Sequence, residues 1–455
     1  MHIYFSGIGG AGIGPLAQIA QEAGYTVSGS DKQASQYIQY LKKHGITNIH
    51  IGQSREAIAA AHEREPIDWF VYTSALPLEN PDAPELAYCA EQNIKTSKRD
   101  ELLNLILQEQ GLKLIAVAGT HGKTTTTAML VWVFTELHQK LGMPISYLLP
   151  AKTSFAEMGK FTPGSRYLVY EADEFDRNFL AFEPAVSLIT GVSWDHHEIF
   201  RTREDYQAAF REFIGQSGHT FIWQEDAEYL GLGDAPAVSV LNSGDLRIEK
   251  LKLVGKYNRL DAWLVAQAVR RVTDHPLDKI LEIIDRFPGL SRRMEQIKPG
   301  LYSDYAHTPE KIRGAMSVAT EMAAETGQKL VVVYEPLTNR RQHYMLDDYK
   351  DCFNGADKLY WIPSYLARED PTQRVISPAE LISHLDDPSI AEPMERDTKL
   401  KQTIQKHLDG GDMVVCMAGG GGDSLDDWLR AEFTTESSFQ TWYDRRKREA
   451  ASGGL

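Results

Sequence analysis

The chain of 455 residues, 42% hydrophobic and 24% charged, has the composition of a soluble protein of roughly two to four domains, each able to bury its own core. A formal net charge of -15 and a pI near 5.4 argue against nonspecific binding to nucleic acid or an anionic membrane. No window approaches about 18 uninterrupted apolar residues, and the N-terminus enters a strand with no leader pattern, so a cytoplasmic protein is expected. Cys89, Cys352 and Cys416 are widely separated and offer neither a disulfide framework nor a CxxC metal pair; each is expected in a core.

In chain order, His2 to Phe5 predict a short buried strand, after which GIGGAGIG sets Gly7, Gly9 and Gly12 at GxGxxG spacing before a helical apolar pattern. Glycines there permit a tight turn and bring backbone N–H groups close to a diphosphate at a helix N-terminus. Asp31 ends a second strand-like run, where an acidic residue commonly meets ribose hydroxyls. On these residues alone, a dinucleotide and another nucleotide diphosphate are equally supported.

Further strand-like runs at 68–75, 113–119, 167–173, 185–192, 329–336 and 412–420 alternate with helical stretches, the pattern of parallel α/β sheets covered on both faces. A helix within 93–114 leads from the first nucleotide-type unit to a fresh strand and puts one boundary near 98. Pro-Gly punctuation within 287–309 puts a second near 297.

Gly119, Thr120, His121, Gly122, Lys123, Thr124 and Thr125 follow the strand at 113–119 and open an apolar helix. This phosphate loop is two residues shorter than GxxxxGK[ST]. Its amides would cradle phosphates, Lys123 would neutralise terminal oxygens, and the Thr124 hydroxyl is placed for Mg²⁺. ATP or a close relative is the expected ligand. A separate triphosphate site weakens a dehydrogenase reading of the first loop, and favours one loop for a nucleotide-linked substrate and the other for ATP. Next along the chain, Glu171, Asp173 and Glu174 lie just past a strand and suit Mg²⁺, and Asp195, His196 and His197 follow the next strand.

The short loop AGTHGKTTT resembles that of the Mur ligase family, ATP-dependent amide-bond ligases of peptidoglycan assembly with folate relatives, and the resemblance extends over nearly the whole chain. It implies three α/β domains: a Rossmann-like UDP-sugar domain (1–98), a central P-loop ATPase domain with a mainly parallel sheet (99–297), and a Rossmann-like amino-acid domain (298–455). By resemblance Glu171 and His196 associate with the metal beside Thr124. Gly191 to Gln216 contain no lysine, so the carbamoylated lysine of some relatives is not expected, as in the alanine-adding branch.

GKYNRLDAWLVAQA (255–268) resembles the family's GxHNxxNxxAA element on the adenine side. Asn258 matches its first asparagine, Tyr257 replaces the histidine, and Asp261 replaces the second asparagine; an ionised Asp261 cannot donate a hydrogen bond. Arg293 matches the arginine that meets ATP phosphate on domain closure, and Asp304 and His307 match DYAHxP near the nucleotide ribose. Gly9, Ala11, Gly12 and Asp31, with Ser74 and Ala75 at a strand end, fit the UDP-sugar side of the muramate-specific members. Arg340, Arg341 and His343 could meet a carboxylate or form an exposed basic turn, and four consecutive glycines (419–422) suit an anion or a flexible turn.

The resemblance thus implies ATP- and Mg²⁺-dependent joining of L-alanine to UDP-N-acetylmuramate through an acyl phosphate, with Lys123, His196 and Arg293 as catalytic residues in a monomer or homodimer. EADEFD, DHHEIF and YEPLTN lean instead toward the branch that recycles a murein tripeptide onto the same UDP-sugar. Tyr257 and Asp261 are the support for a third reading, a nucleotide-binding regulator without turnover.

Overall fold

The computed structural model describes residues 1–434 apart from 74, 75, 78, 79, 81, 197, 198, 234, 367, 368, 370, 371, 421 and 422. The expected substrate residues Ser74 and Ala75, His197, two of the four glycines and the charged tail lie outside the described residues. The chain forms three sheets in two compact units. Met1–Lys250 and Asp261–Phe287 make the first; Leu251–Leu260 and the residues from Pro288 onward make the second.

The first unit carries two sheets. In one, β1 (His2–Ser6), β2 (Thr26–Asp31), β3 (Ile49–Ile51), β4 (Trp69–Tyr72) and β5 (Lys95–Lys98) are all parallel in the order β3-β2-β1-β4-β5. Every residue of β1 is buried, because both faces of a parallel sheet are covered and the strand reads as an apolar run rather than an alternation. Strand order reverses at β1, so the glycine loop after it opens at the crevice over the strand ends. The helix Gly14–Glu22 follows with Pro15 in its first turn and buries Leu16, Ala17, Ile19 and Ala20. Beneath the loop, the wholly buried Glu85 carboxylate accepts from Ser6 Oγ at 2.6 Å, Ser30 Oγ at 2.5 Å and Tyr4 OH at 3.1 Å, which ties the ends of β1 and β2 together.

The second sheet contains β6 (Lys113–Ala118), β7 (Ser146–Leu148), β8 (Gly159–Lys160), β9 (Tyr167–Glu171), β10 (Val186–Ile189), β11 (Thr220–Trp223) and β12 (Val238–Leu241), in the order β12-β11-β10-β6-β9-β7-β8. Only the β7–β8 pair is antiparallel. The central strand β6 pairs Val117 with Glu171 of β9 and Ala118 with Ile189 of β10, so the loops after the three strands emerge side by side. The helix Lys123–Leu141 is buried from Thr126 to Val131, and Phe179 packs on Phe210 and Phe213 at 5.1 and 4.8 Å between ring centres.

The second unit holds β13 (Glu295–Lys298), β14 (Leu301–Asp304), β15 (Leu330–Glu335), β16 (Lys358–Trp361), β17 (Ala391–Pro393) and β18 (Met413–Ala418), in the order β13-β14-β18-β15-β16-β17. All pairs are parallel except β13–β14. Leu330, Val332 and Tyr334 of β15 feed one core while Val331 and Val333 feed the other, as the two-residue period of a strand requires. The α/β architecture with mainly parallel sheets matches the expectation. All three cysteines are buried and free, and burial pushes the thiols of Cys89 and Cys352 up to about 12. Among the described residues no helix is long and apolar enough to cross a membrane.

Candidate active site

The loop between β6 and the helix Lys123–Leu141 is built on two glycines with positive φ, Gly119 at 138° and Gly122 at 80°. A Cβ on Gly119 would stand 2.4 Å from Thr190 Oγ1, and one on Gly122 would stand 3.0 and 3.1 Å from the two Asp261 carboxyl oxygens. Side chains brace the loop from behind. Thr120 N–H donates to Gly191 O at 2.8 Å; its hydroxyl donates to Ser193 O at 2.8 Å, accepts from Ser193 N at 2.9 Å and meets Tyr206 OH at 2.8 Å. Thr190 donates its hydroxyl to His121 O, and Asp226 accepts from Val192 N at 2.8 Å. Burial pushes the Asp226 carboxyl up to about 6. Thr120 therefore serves the loop through its hydroxyl, while Thr124 and Thr125 are only half-buried at the helix start.

Lys123 Nζ donates to Gly119 O at 2.5 Å and to Glu174 Oε2 at 2.7 Å. Burial works against the ammonium charge, but the carboxylates of Glu174, Asp173 and Glu171 outweigh it and raise its pKa. Burial likewise opposes the Glu174 carboxylate, yet Lys123 and His196 pull it down to about 2. Glu174 Oε1 faces His196 Nε2 at 3.5 Å, too far for a good hydrogen bond, and is buried without another partner among the described residues. His196 has φ of 54°, an uncommon backbone state for a residue with a side chain, and its N–H donates to Asp195 Oδ1 at 2.7 Å.

Asp173, Glu174 and His196 each bring one ligand atom within 4.8 Å of the others. Two carboxylates and one imidazole around an orphaned carboxylate oxygen fit a divalent cation. Glu171, the metal glutamate implied by the resemblance, adds to the negative field on Lys123 but is not in that set. Glu174 was legible only as one of three nearby carboxylates; its place as the partner of Lys123 depends on the turn after β9.

Asp261, on the helix Lys256–Thr273, is buried, and burial pushes its pKa well above the ordinary 3.8. The raised pKa favours the neutral carboxylic acid, which keeps an O–H donor beside its acceptor oxygen, over the ionised form, which cannot donate. In the second unit Asn258 donates to Val254 O at 2.7 Å, and the ring of Tyr257 is exposed.

At the first loop, Gly7 and Ile8 donate to Ser30 O, Gly10 donates to Gly7 O, and Gly9 donates to Asp31 Oδ2 at 2.8 Å. Asp31 thus braces the loop as well as facing the crevice. Ala11 is exposed and Gly12 half-buried. Arg99, which sequence reasoning passed over, opens the helix Arg99–Glu109 and approaches Asp173 Oδ2 at 3.8 Å.

In the second unit, Arg292 and Arg293 share the ring of Tyr305, at 4.5 and 5.3 Å from its centre. Arg292 also donates to Ala418 O and Gly420 O, which fixes it to the sheet, while Arg293 keeps its guanidinium over the ring. Asp304 accepts from Met294 N and Ala306 N, both at 2.8 Å, and burial raises its pKa despite Arg293. His307 is buried with Nδ1 2.8 Å from Tyr305 O, and burial pushes its pKa well below the ordinary value, leaving it neutral. Arg340 is exposed and Arg341 half-buried on the helix Asn339–Met345, and His343 Nε2 lies 3.1 Å from Arg374 O. Glu335, at the end of β15, accepts from Leu425 N at 3.0 Å, and burial pushes it up to about 6.

Residues 2–110 match the catalytic-domain model of the Mur ligase family, 117–244 its middle domain, and 292–420 its glutamate ligase domain. The UDP-N-acetylmuramate–L-alanine ligase of Clostridium novyi (strain NT) is 30% identical over 410 residues, 82% of this chain and 85% of that one. The ligase of the same name from Clostridium botulinum (strain Kyoto) is 29% identical over 92% of this chain and 95% of its own. Among solved structures, the UDP-N-acetylmuramate–alanine ligase of Thermotoga maritima superposes with a TM-score of 0.71 at 23% identity, covering 100% of both chains. A murein peptide ligase of Psychrobacter arcticus gives 0.60 at 21%, covering 100% of this chain and 99% of its own, and these two likenesses speak to the fold. With all three domain types matched in order and a relative at 30% identity along most of its length, this chain belongs to the Mur ligase family.

Proposed function

We propose that the protein joins L-alanine to the carboxyl group of UDP-N-acetylmuramate at the expense of ATP. The observation that carries this reading is the similarity, along nearly the whole chain, to ligases of that name. The same reading assigns residues 1–98 to the UDP-sugar, 99–297 to ATP and 298–455 to the amino acid. Its substrates are those of the cytoplasm, where we expect a monomer or homodimer.

A carboxylate does not condense with an amine in neutral water, so the sugar carboxylate first attacks the γ-phosphorus of ATP. The bond to the β-γ bridging oxygen breaks, ADP departs, and an acyl phosphate remains. Lys123 would exchange Glu174 for the phosphoryl oxygens, and Arg293 would meet them from the third domain, both stabilising charge that grows in the transition state. Asp173, Glu174 and His196, with Thr124 and Glu171 as further donors, would hold Mg²⁺, whose charge screens the phosphates when bound. The amine of L-alanine, having lost its proton to solvent, then attacks the acyl carbon, and phosphate leaves from the tetrahedral adduct. Asn258, Asp261, Asp304 and His307 would line the nucleoside side, while Arg340 and Arg341 would take the acceptor's carboxylate.

Phosphate release from Mg-ATP and UDP-N-acetylmuramate, compared with L-alanine, other amino acids and murein tripeptide, tests the reading. Release that requires L-alanine is expected. Release with tripeptide alone would move the protein to peptide recycling, and none with any acceptor would overturn the ligase reading.

A further inference from the structure

We propose that Arg177 is a positioning residue: it ties the carboxylate turn after β9 to the histidine loop after β10, and so sets the gap between Glu174 and His196 in which a cation is held. The inference rests on the functional reading above, which puts Mg²⁺ and the ATP phosphates at these loops. Arg177 is not among the three residues whose ligand atoms converge there. Its role follows from a turn that its own backbone does not favour. Asp176 and Arg177 have φ of 55° and 56°, two consecutive residues with side chains in the left-handed region. Such a pair persists only where surrounding contacts over-determine it.

Those contacts come from both sides of the gap. Lys98, at the end of β5, pairs with the Asp176 carboxylate. Arg177 N–H donates to Glu174 O and Phe179 N–H to Asp173 O, both at 3.0 Å, so the backbone of the turn carries the two carboxylates of the site. The Arg177 guanidinium crosses to the other side. Its Nη2 donates to Asp205 Oδ1 at 2.5 Å, and its plane lies over the Phe200 ring, 5.1 Å from the centre. Phe200 closes the histidine loop: its N–H donates to His196 O at 2.9 Å, its carbonyl accepts from Trp194 Nε1 at 2.9 Å, and its buried ring meets that of Tyr206 at 4.9 Å. Asp205 and Tyr206 stand together in the first turn of the helix Arg203–Gln216. The Thr120 hydroxyl spends its proton on Ser193 O, so Tyr206 donates to it and holds the phosphate loop while Asp205 holds Arg177. One helix start thus gauges three loops. Across the gap Glu174 Oε1 faces His196 Nε2 at 3.5 Å, and the Phe175 ring packs on the imidazole at 5.2 Å. With 40% of the Arg177 side chain and 38% of that of Asp205 open to solvent, the ion pair adds little to overall stability, and its contribution is geometric.

Arg177→Gly is the decisive variant, because glycine accepts a φ of 56° without strain and the change removes only the guanidinium. Mn²⁺ serves as the probe. Its binding to the full-length protein with a non-hydrolysable ATP analogue is followed by loss of the free-ion electron paramagnetic resonance signal, and melting of the metal-free protein is measured in parallel. Arg177→Gly should weaken Mn²⁺ about 10-fold, the lower end of what partners of metal ligands contribute, with the melting temperature little changed. Arg177→Lys keeps the charge but not the plane that covers Phe200, so it should recover only part of the loss. Asp205→Asn should weaken Mn²⁺ in the same direction, and the double variant with Arg177→Gly should lose no more than Arg177→Gly alone. Wild-type affinity for Mn²⁺ in Arg177→Gly, losses that simply add in the double variant, or a loss that comes only with a lowered melting temperature would overturn the inference and leave Arg177 in a surface ion pair. A wild-type protein that binds no Mn²⁺ with the nucleotide analogue would overturn the functional reading itself.

Discussion

Replacing Asp261 by asparagine should stabilise the protein, by an amount that depends on pH. The carboxyl group is buried with both oxygens against Gly122, and burial raises its pKa well above the ordinary 3.8, although the Thr126 hydroxyl works in the other direction. In the unfolded chain the same group ionises at its ordinary pKa, so between that pKa and the higher native one folding takes up a proton. Between 3.8 and the raised native pKa each pH unit costs about 1.4 kcal/mol. The sign follows from proton counts: above 3.8 the unfolded state binds fewer protons than the native state, so wild-type stability falls with rising pH until the native group ionises. Asparagine has the same shape, needs no proton, and still presents a donor and an acceptor. Denaturant melting of both proteins between about pH 4 and 8, followed by tryptophan fluorescence, should show no difference at the acid end and a widening advantage for Asp261→Asn toward neutrality. Mg-ATP-dependent phosphate release should persist in the variant. A stability difference that is the same at every pH, or that favours the wild type more as pH rises, would refute the neutral-acid argument.

Gly122→Ala puts a methyl group at a φ of 80° and 3.0 Å from Asp261, so it should cost about 1–2 kcal/mol in backbone strain and raise the KM for ATP more than that for L-alanine in steady-state kinetics. Lys123→Ala leaves the wholly buried Glu174 charge unpaired and should lower stability by about 3–5 kcal/mol in melting experiments while abolishing phosphate release. Adding Glu174→Gln should recover stability but not turnover. Because Glu174 falls from 4.5 to about 2 in the folded protein, its contribution is complete above 4.5 and lost as pH drops through about 2; acid unfolding of the wild type should therefore be steeper across that interval than that of Glu174→Gln.

Both glycine loops were legible as turns because their signals are local. Glycines at fixed offsets, with Lys123 and Thr124 directly after Gly122, specify a turn and a helix start without reference to the rest of the chain. The strands were legible for a related reason: β1, β15 and β18 are buried along their whole length and read as apolar runs. What sequence could not supply was set by contacts between distant segments. Glu174 rather than Glu171 meets Lys123 because the chain turns after β9, and the raised pKa of Asp261 depends on burial beneath the loop rather than on its neighbours in sequence. Asp31 was marked for a ribose, and its bond to Gly9 N–H emerges only when β2 is laid beside the loop. Tyr206 behind Thr120 and Arg99 beside Asp173 lie on helices with no motif of their own.

The shared phase of β6, β9 and β10 bears on how the protein can change length. Val117 stands opposite Glu171 and Ala118 opposite Ile189, so the ends of these strands meet at one edge by hydrogen-bond registry rather than by the lengths of the connections between them. Insertions in the exposed connection at 242–247, far along the chain from that edge, should be absorbed with little effect on ligation. A single deletion inside β9 would turn Glu171 to the opposite face of the sheet and draw Asp173 and Glu174 back by one residue, with composition almost unaltered. Length is thus a continuous variable in the connections of this protein and a quantised one in its central strands.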